Sequence, residues 1–105
     1  MTLSFLSLIR FKINEVLMEF ILPDGKIIEL EKVRRVSRIS DLGLENDSIE
    51  YSKIAFEIHL RGHKVIEVSE RYHYADWAEK MKKLTSVRND LINALKEAGI
   101  QFEQD

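Results

Sequence analysis

The chain reads as an α+β domain, an antiparallel meander sheet or partly closed barrel with one long C-terminal helix packed across it. Three observations predict this. Trp77, Met81, Leu84, Val87, Leu91, Leu95 and Ala98 recur at spacings of 4, 3, 3, 4, 4 and 3, the apolar face of an amphipathic helix. Ile54, Phe56, Ile58 and Leu60 alternate with Ala55, Glu57, His59 and Arg61, the period of a half-buried strand. The segments around Pro23-Asp24-Gly25 and around Arg61-Gly62-His63-Lys64 carry turn residues between apolar runs, which predicts two hairpins and antiparallel pairing. Strands followed by one terminal helix are the order of an α+β layer.

Taken in order, Ile9, Phe11 and Ile13 alternate with Arg10, Lys12 and Asn14 as in a strand, while Leu6, Ile9, Ile13, Val16, Leu17 and Phe20 also fit a helix. Both readings stay open for residues 3–18. The first hairpin follows in EFILPDGKIIEL. EKVRRVSRIS continues its second strand or begins another, and Asp41-Leu42-Gly43 with Glu45-Asn46-Asp47-Ser48 reads as a loop between two halves of the sheet. The second hairpin pairs residues 54–60 with 65–69, with Ile66 and Val68 on the inward side. Tyr72, His73 and Tyr74 lead into the helix. Asp76 is placed to cap it, Glu79 follows in the manner of a capping box, and Asp76/Lys80 and Glu79/Lys83 set acid four residues before base. Gly99 stops it over 76–98, with Ile100 folding back in a Schellman arrangement. Such a helix is about 34 Å long, whereas a seven-residue strand spans about 23 Å. Its last turns, Leu91, Ile92, Leu95 and Ala98, should therefore overhang the sheet, offering apolar surface to a second copy, to another protein, or to the N-terminal segment.

The 105 residues suit a single domain over 1–105, since two cores would each be too small. There is no cysteine, which excludes disulfides, thiolate metal sites and cysteine nucleophiles. The formal charge of −2 is spread evenly along the chain, so a phosphate-neutralising nucleic-acid binder is not expected. The opening MTLSFLSLI has no basic residue before its short apolar run, so neither a signal peptide nor a membrane span is expected, and the cytoplasm is the expected location.

The order of elements over residues 18–98, with the local pattern FEIHLRGHKVIEVSERYHYADW and a tryptophan in the first turn of a single C-terminal helix, resembles the pleckstrin-homology-like superfold. The resemblance implies a curled sheet closed by the helix and, in function, peptide binding, scaffolding or lipid recognition. Members that bind phosphoinositides carry a lysine and spaced arginines around their first hairpin; here that turn is PDGK, with one lysine, and the basic run comes later.

Chemistry-bearing candidates are few. His59, His63 and His73 lack the spacing of a metal motif, no Gly-x-Ser-x-Gly or phosphate-binding glycine loop is present, and no cofactor is expected. Lys32, Arg34, Arg35 and Arg38 place four positive charges in seven residues, and Asp41, Glu45, Asp47 and Glu50 follow with four negative ones. Such a dipolar run can steer a complementary partner, or the two runs can balance each other. Arg71, Tyr72 and Tyr74 form a second candidate contact surface, because aromatics and arginine dominate protein interfaces; alternatively the aromatics close the end of the core. The expectation is a non-catalytic protein-binding domain, such as an adaptor, a regulatory subunit or a toxin-neutralising immunity protein. The alternatives are recognition of an anionic small molecule or lipid headgroup through Lys32, Arg34, Arg35 and Arg38, and a small enzyme without a familiar motif.

Overall fold

The computed structural model describes residues 9–12, 17–44 and 51–105. Its strands run β1 (Ile9–Lys12), β2 (Leu17–Ile21), β3 (Ile27–Glu29), β4 (Val33–Val36), β5 (Ser40–Leu44), β6 (Ser52–Leu60) and β7 (Lys64–Tyr72), then helix α1 (Trp77–Glu97) and a short β8 (Glu103–Gln104). The result is a curled mixed sheet, a half-barrel, with the helix packed against it.

The Pro23-Asp24-Gly25 turn joins β2 to β3, closed by Leu22 N–H to the Lys26 carbonyl at 2.8 Å and Gly25 N–H to the Leu22 carbonyl at 2.9 Å. β1 pairs with β2 antiparallel, Ile9 opposite Phe20, which makes residues 9–12 and 17–21 strands; the remainder of 3–18 lies outside the described residues. A 3-10 turn over Leu30–Lys32 then turns the corner into the second sheet, with Leu30 fully buried at the bend.

β6 is the centre of that sheet. β4 and β5 follow one another along one edge of it, and β7 pairs along the other over its full nine residues. Asp41-Leu42-Gly43 is therefore strand rather than loop. Its register shifts between Asp41 and Gly43, and the Asp41 carboxylate accepts the Gly43 N–H at 2.9 Å, so a turn-like local bond sits inside a bulged strand. Glu45, Asp47 and Glu50 lie outside the described residues. The β6–β7 hairpin turns through Arg61–His63, with Gly62 and His63 both at positive φ, 78° and 62°.

Alternation decides what is buried. Ile54, Phe56 and Ile58 of β6 and Val68 of β7 face inward and meet Leu84, Leu91 and Leu95 of the helix, with Phe20, Ile28, Leu30, Val33 and Val36 completing the core. At about 1.5–3 kcal/mol for each large side chain fully removed from water, this cluster is the main source of stability. Among the described residues, no buried side-chain polar atom lacks a partner.

The helix differs from expectation at its start. Trp77 is 41% exposed and does not face the core; the buried stripe begins at Leu84. Asp76 makes no side-chain bond to the first turn of the helix. Its carboxylate instead accepts the His73 N–H at 2.6 Å while its own N–H donates to the His73 carbonyl at 2.9 Å, locking a 3-10 turn over Tyr74–Asp76 one turn earlier. Lys80 and Lys83 reach across to Glu70 of β7, at 3.9 and 3.6 Å.

The other end is as predicted. Gly99, at φ 71°, gives its N–H to the Lys96 carbonyl at 3.1 Å and Ile100 gives its own to the Leu95 carbonyl at 3.0 Å, the two bonds of a Schellman stop. There is no overhang, because the strands are longer than the sequence suggested. A helix of 21 residues spans about 31 Å. Each nine-residue strand spans about 30 Å. Leu91, Ile92 and Leu95 are buried within the chain and Ala98 packs against the core, so this surface is not left for a second copy.

Beyond the stop, β8 adds to β4 in parallel, Arg35 opposite Glu103. Arg88 of the helix holds this corner by donating from Nε to the Ser37 carbonyl at 2.7 Å and from Nη2 to the Asp105 carbonyl at 3.1 Å. No helix among the described residues is long and apolar enough to cross a membrane.

Candidate functional site

The basic run does not converge. Val33 and Val36 of β4 are both buried and the register shifts between Val33 and Arg35, so it is the partners of Arg34 and Arg35, not simple alternation, that separate them. Arg35 Nη2 meets the Asp105 carboxylate at 2.6 Å, while Lys32 pairs with Glu29 at 2.9 Å. That hydrogen bond, reinforced by charge, raises the Arg35 pKa above its ordinary value and lowers that of Asp105, to which Arg38 and Arg88 also contribute. Arg38 lines a small recess with Ser37 and Asp105, and Arg34 instead faces the β6–β7 turn beside Arg61 and His63. Of the acidic run, Asp41 is spoken for by Tyr72, whose hydroxyl donates to its carboxylate at 2.5 Å; this bond raises the tyrosine pKa. Among the described residues Lys32 and Arg35 of the basic run are paired with Glu29 and Asp105, not with Asp41.

The aromatic cluster divides. Tyr72 ends β7 and packs against the core, whereas Tyr74 is 93% exposed. Arg71 lies over the Tyr51 ring at 5.2 Å, and Tyr51 meets His73 edge to face with ring centres 5.4 Å apart. These contacts tie Arg71, Tyr51 and His73 into one exposed corner. His59 is paired with Glu57 at 3.2 Å and His63 sits at the far hairpin tip, so the topology keeps the three histidines on separate elements.

One concave feature among the described residues was not announced by the sequence. It is a groove of about 620 Å³ between the β2–β3 hairpin tip and β7, floored by Leu84 and Val87 of the helix. It lies where, among the described residues, the half-barrel is open between β3 and β7. Among the described residues, β7 pairs with β6 alone, and β3 pairs with β2 alone. The edge of β7 toward the groove thus carries backbone N–H and C=O groups without a neighbouring strand among the described residues, and such an edge is a template for another. Ile27 on one rim and Val65 on the other are 47% and 46% exposed, large apolar side chains that the fold leaves half in water. Ile66 and Val87, partly buried, lie between them and the core.

Sequence reasoning missed this groove because it depends on two strands failing to meet. One signal was present. Val65 is an apolar residue at an outward position of β7, opposite His59, and Ile27 stands in an exposed position just past the turn; neither is needed by the core. No family model, no curated protein and no solved structure matches this chain.

Proposed function

We propose that this protein is a binding domain for another protein, and that it takes an extended segment of its partner into the groove as a strand added to β7. The observation that carries this reading is the edge of β7 along Lys64 to Glu70, which pairs with no second strand among the described residues, beside a groove with an apolar floor. Main-chain hydrogen bonds to such an edge supply affinity, and pockets for alternate side chains supply selectivity. An extended backbone is the occupant that satisfies both, because a small apolar ligand would leave the edge unpaired. Half-exposed Ile27 and Val65 would be covered by the incoming side chains. The geometry of the basic run does not favour a single anion pocket made of Lys32, Arg34, Arg35 and Arg38, which are divided among separate partners and recesses.

The test is selection of random peptides displayed on phage against the folded domain. The reading expects recovered peptides with apolar residues at alternate positions, whose binding is lost on Val65→Arg, a substitution that the exposed rim tolerates. Failure to recover any peptide, or binding insensitive to that change, would overturn it.

A further inference from the structure

The groove does not stop at Val65. Ile27, Lys64 and Ile66 line both it and an adjoining recess of about 210 Å³, to which Lys32 and Arg61 belong. Leu60, Arg61 and Lys64 are shared in turn with a recess of about 370 Å³ at the tip of the β6–β7 hairpin, completed by Arg34, His59 and His63. A continuous track therefore leads from the apolar floor to the hairpin tip.

Charge changes along that track. Over the groove each carboxylate has a cation: Asp24 has Lys26 at 3.7 Å, Glu67 has Lys53 at 3.1 Å, and Glu70 has Lys80 and Lys83. In the middle Glu29 has Lys32 at 2.9 Å. Among the described residues no carboxylate lines the recess at the tip. Arg34 and Lys64 form no ion pair among the described residues, and Arg61 spends one N–H on the Glu31 carbonyl at 3.1 Å. Glu31 lines the neighbouring hollow with Arg34 and Arg61. Among the described residues one end of the track is thus neutralised, and the other holds three cations, Arg34, Arg61 and Lys64, without a paired carboxylate. Arginine and lysine so placed are suited to a carboxylate or a phosphate.

We infer that the extended segment bound in the groove carries an acidic or phosphorylated residue at the end lying over the hairpin tip, received by Arg34, Arg61 and Lys64. This rests on the groove being a peptide site. The apolar floor and free edge hold the segment, and the cationic tip fixes which way it runs, since only one direction brings its anion to Lys64.

The experiment uses the peptides recovered by display selection, measured by fluorescence anisotropy against the wild-type domain and the Arg61→Glu/Lys64→Glu variant. Aspartate or glutamate should be enriched at one end of the recovered peptides, and binding should fall about tenfold or more in the variant. Replacing the peptide's acid by lysine should restore binding to the variant, a rescue that a merely unfolded domain would not give. Phosphoserine in the acid's place separates the two sources: tighter binding than glutamate assigns the tip to phosphorylated partners, and weaker binding to acidic ones. Recovered peptides without acidic bias, binding the variant within about twofold of wild type, would overturn the inference. If Val65→Arg still abolished their binding, the groove reading would survive that result; recovery of no peptide would overturn both.

Discussion

Exchanging Ile27 and Val65 together for serine should uncouple binding from folding, because both side chains stand half in and half out of the molecule. Each is a little under half exposed. Full burial of such a side chain is worth about 1.5–3 kcal/mol, so the half already buried contributes about 1 kcal/mol to folding at each position. The half still in water, about 0.7–1.5 kcal/mol each, is what a bound strand would cover. Together the pair should therefore cost about 1.5–3 kcal/mol of affinity, or about 10- to 150-fold in Kd. The unfolding free energy should fall by about 2 kcal/mol and leave a cooperative transition. Fluorescence anisotropy of a labelled peptide recovered by display selection measures the first quantity, and urea unfolding followed by circular dichroism the second. The reasoning is refuted if the double variant unfolds as expected yet binds the peptide within about twofold of wild type.

Three further outcomes follow from the geometry. Leu84→Ala, which empties a fully buried position beneath the groove floor, should lower unfolding free energy by about 2–3 kcal/mol, the lower part of the usual range because Val87 and Ile66 can settle toward the open side; urea midpoints check this. The Tyr72 hydroxyl is held protonated by its bond to Asp41, so its folded pKa stands above the ordinary 10.0, the folded state keeps its proton longer than the unfolded chain, and stability should be lost as pH rises above 10; the slope of melting temperature there should flatten in Tyr72→Phe. Asp105 has the opposite sign: Arg35 holds its pKa below 3.8, so its contribution is complete above that value and fades as pH falls through the folded pKa. An Arg35→Met variant should lose less melting temperature than wild type between neutral pH and that acid range.

How much of this was legible in the sequence depended on whether the information was local. The helix from its periodic leucines, the Schellman stop at Gly99 and both hairpins follow from residues close in the chain, and all are present. Trp77 was misplaced because a periodic pattern does not say where the helix first touches the sheet, and that point is set by the length of β7 and by the Asp76–His73 lock. Asp41-Leu42-Gly43 carries turn residues, yet it pairs with β6 because the central strand offers a partner along its whole edge. The charge runs were visible but their partners were not, since Arg35 and Asp105 are seventy residues apart and meet only through the parallel β4–β8 pair. Tyr72 was picked out, but not its bond to Asp41 across the sheet. The groove was the least legible feature, being a gap between β3 and β7 that no local pattern encodes; only the surplus apolar character of Ile27 and Val65 hinted at it.

The central claim is that β7 receives another strand at its free edge, and amide hydrogen exchange read residue by residue, with and without a display-selected peptide, tests it most directly. Strand addition predicts slowed exchange at alternate amides between Val65 and Glu70, the part of β7 that lines the groove, with little change along β6, already paired on both sides. Protection confined to the corner of Tyr51 and His73, or none along β7 at saturating peptide, would contradict it.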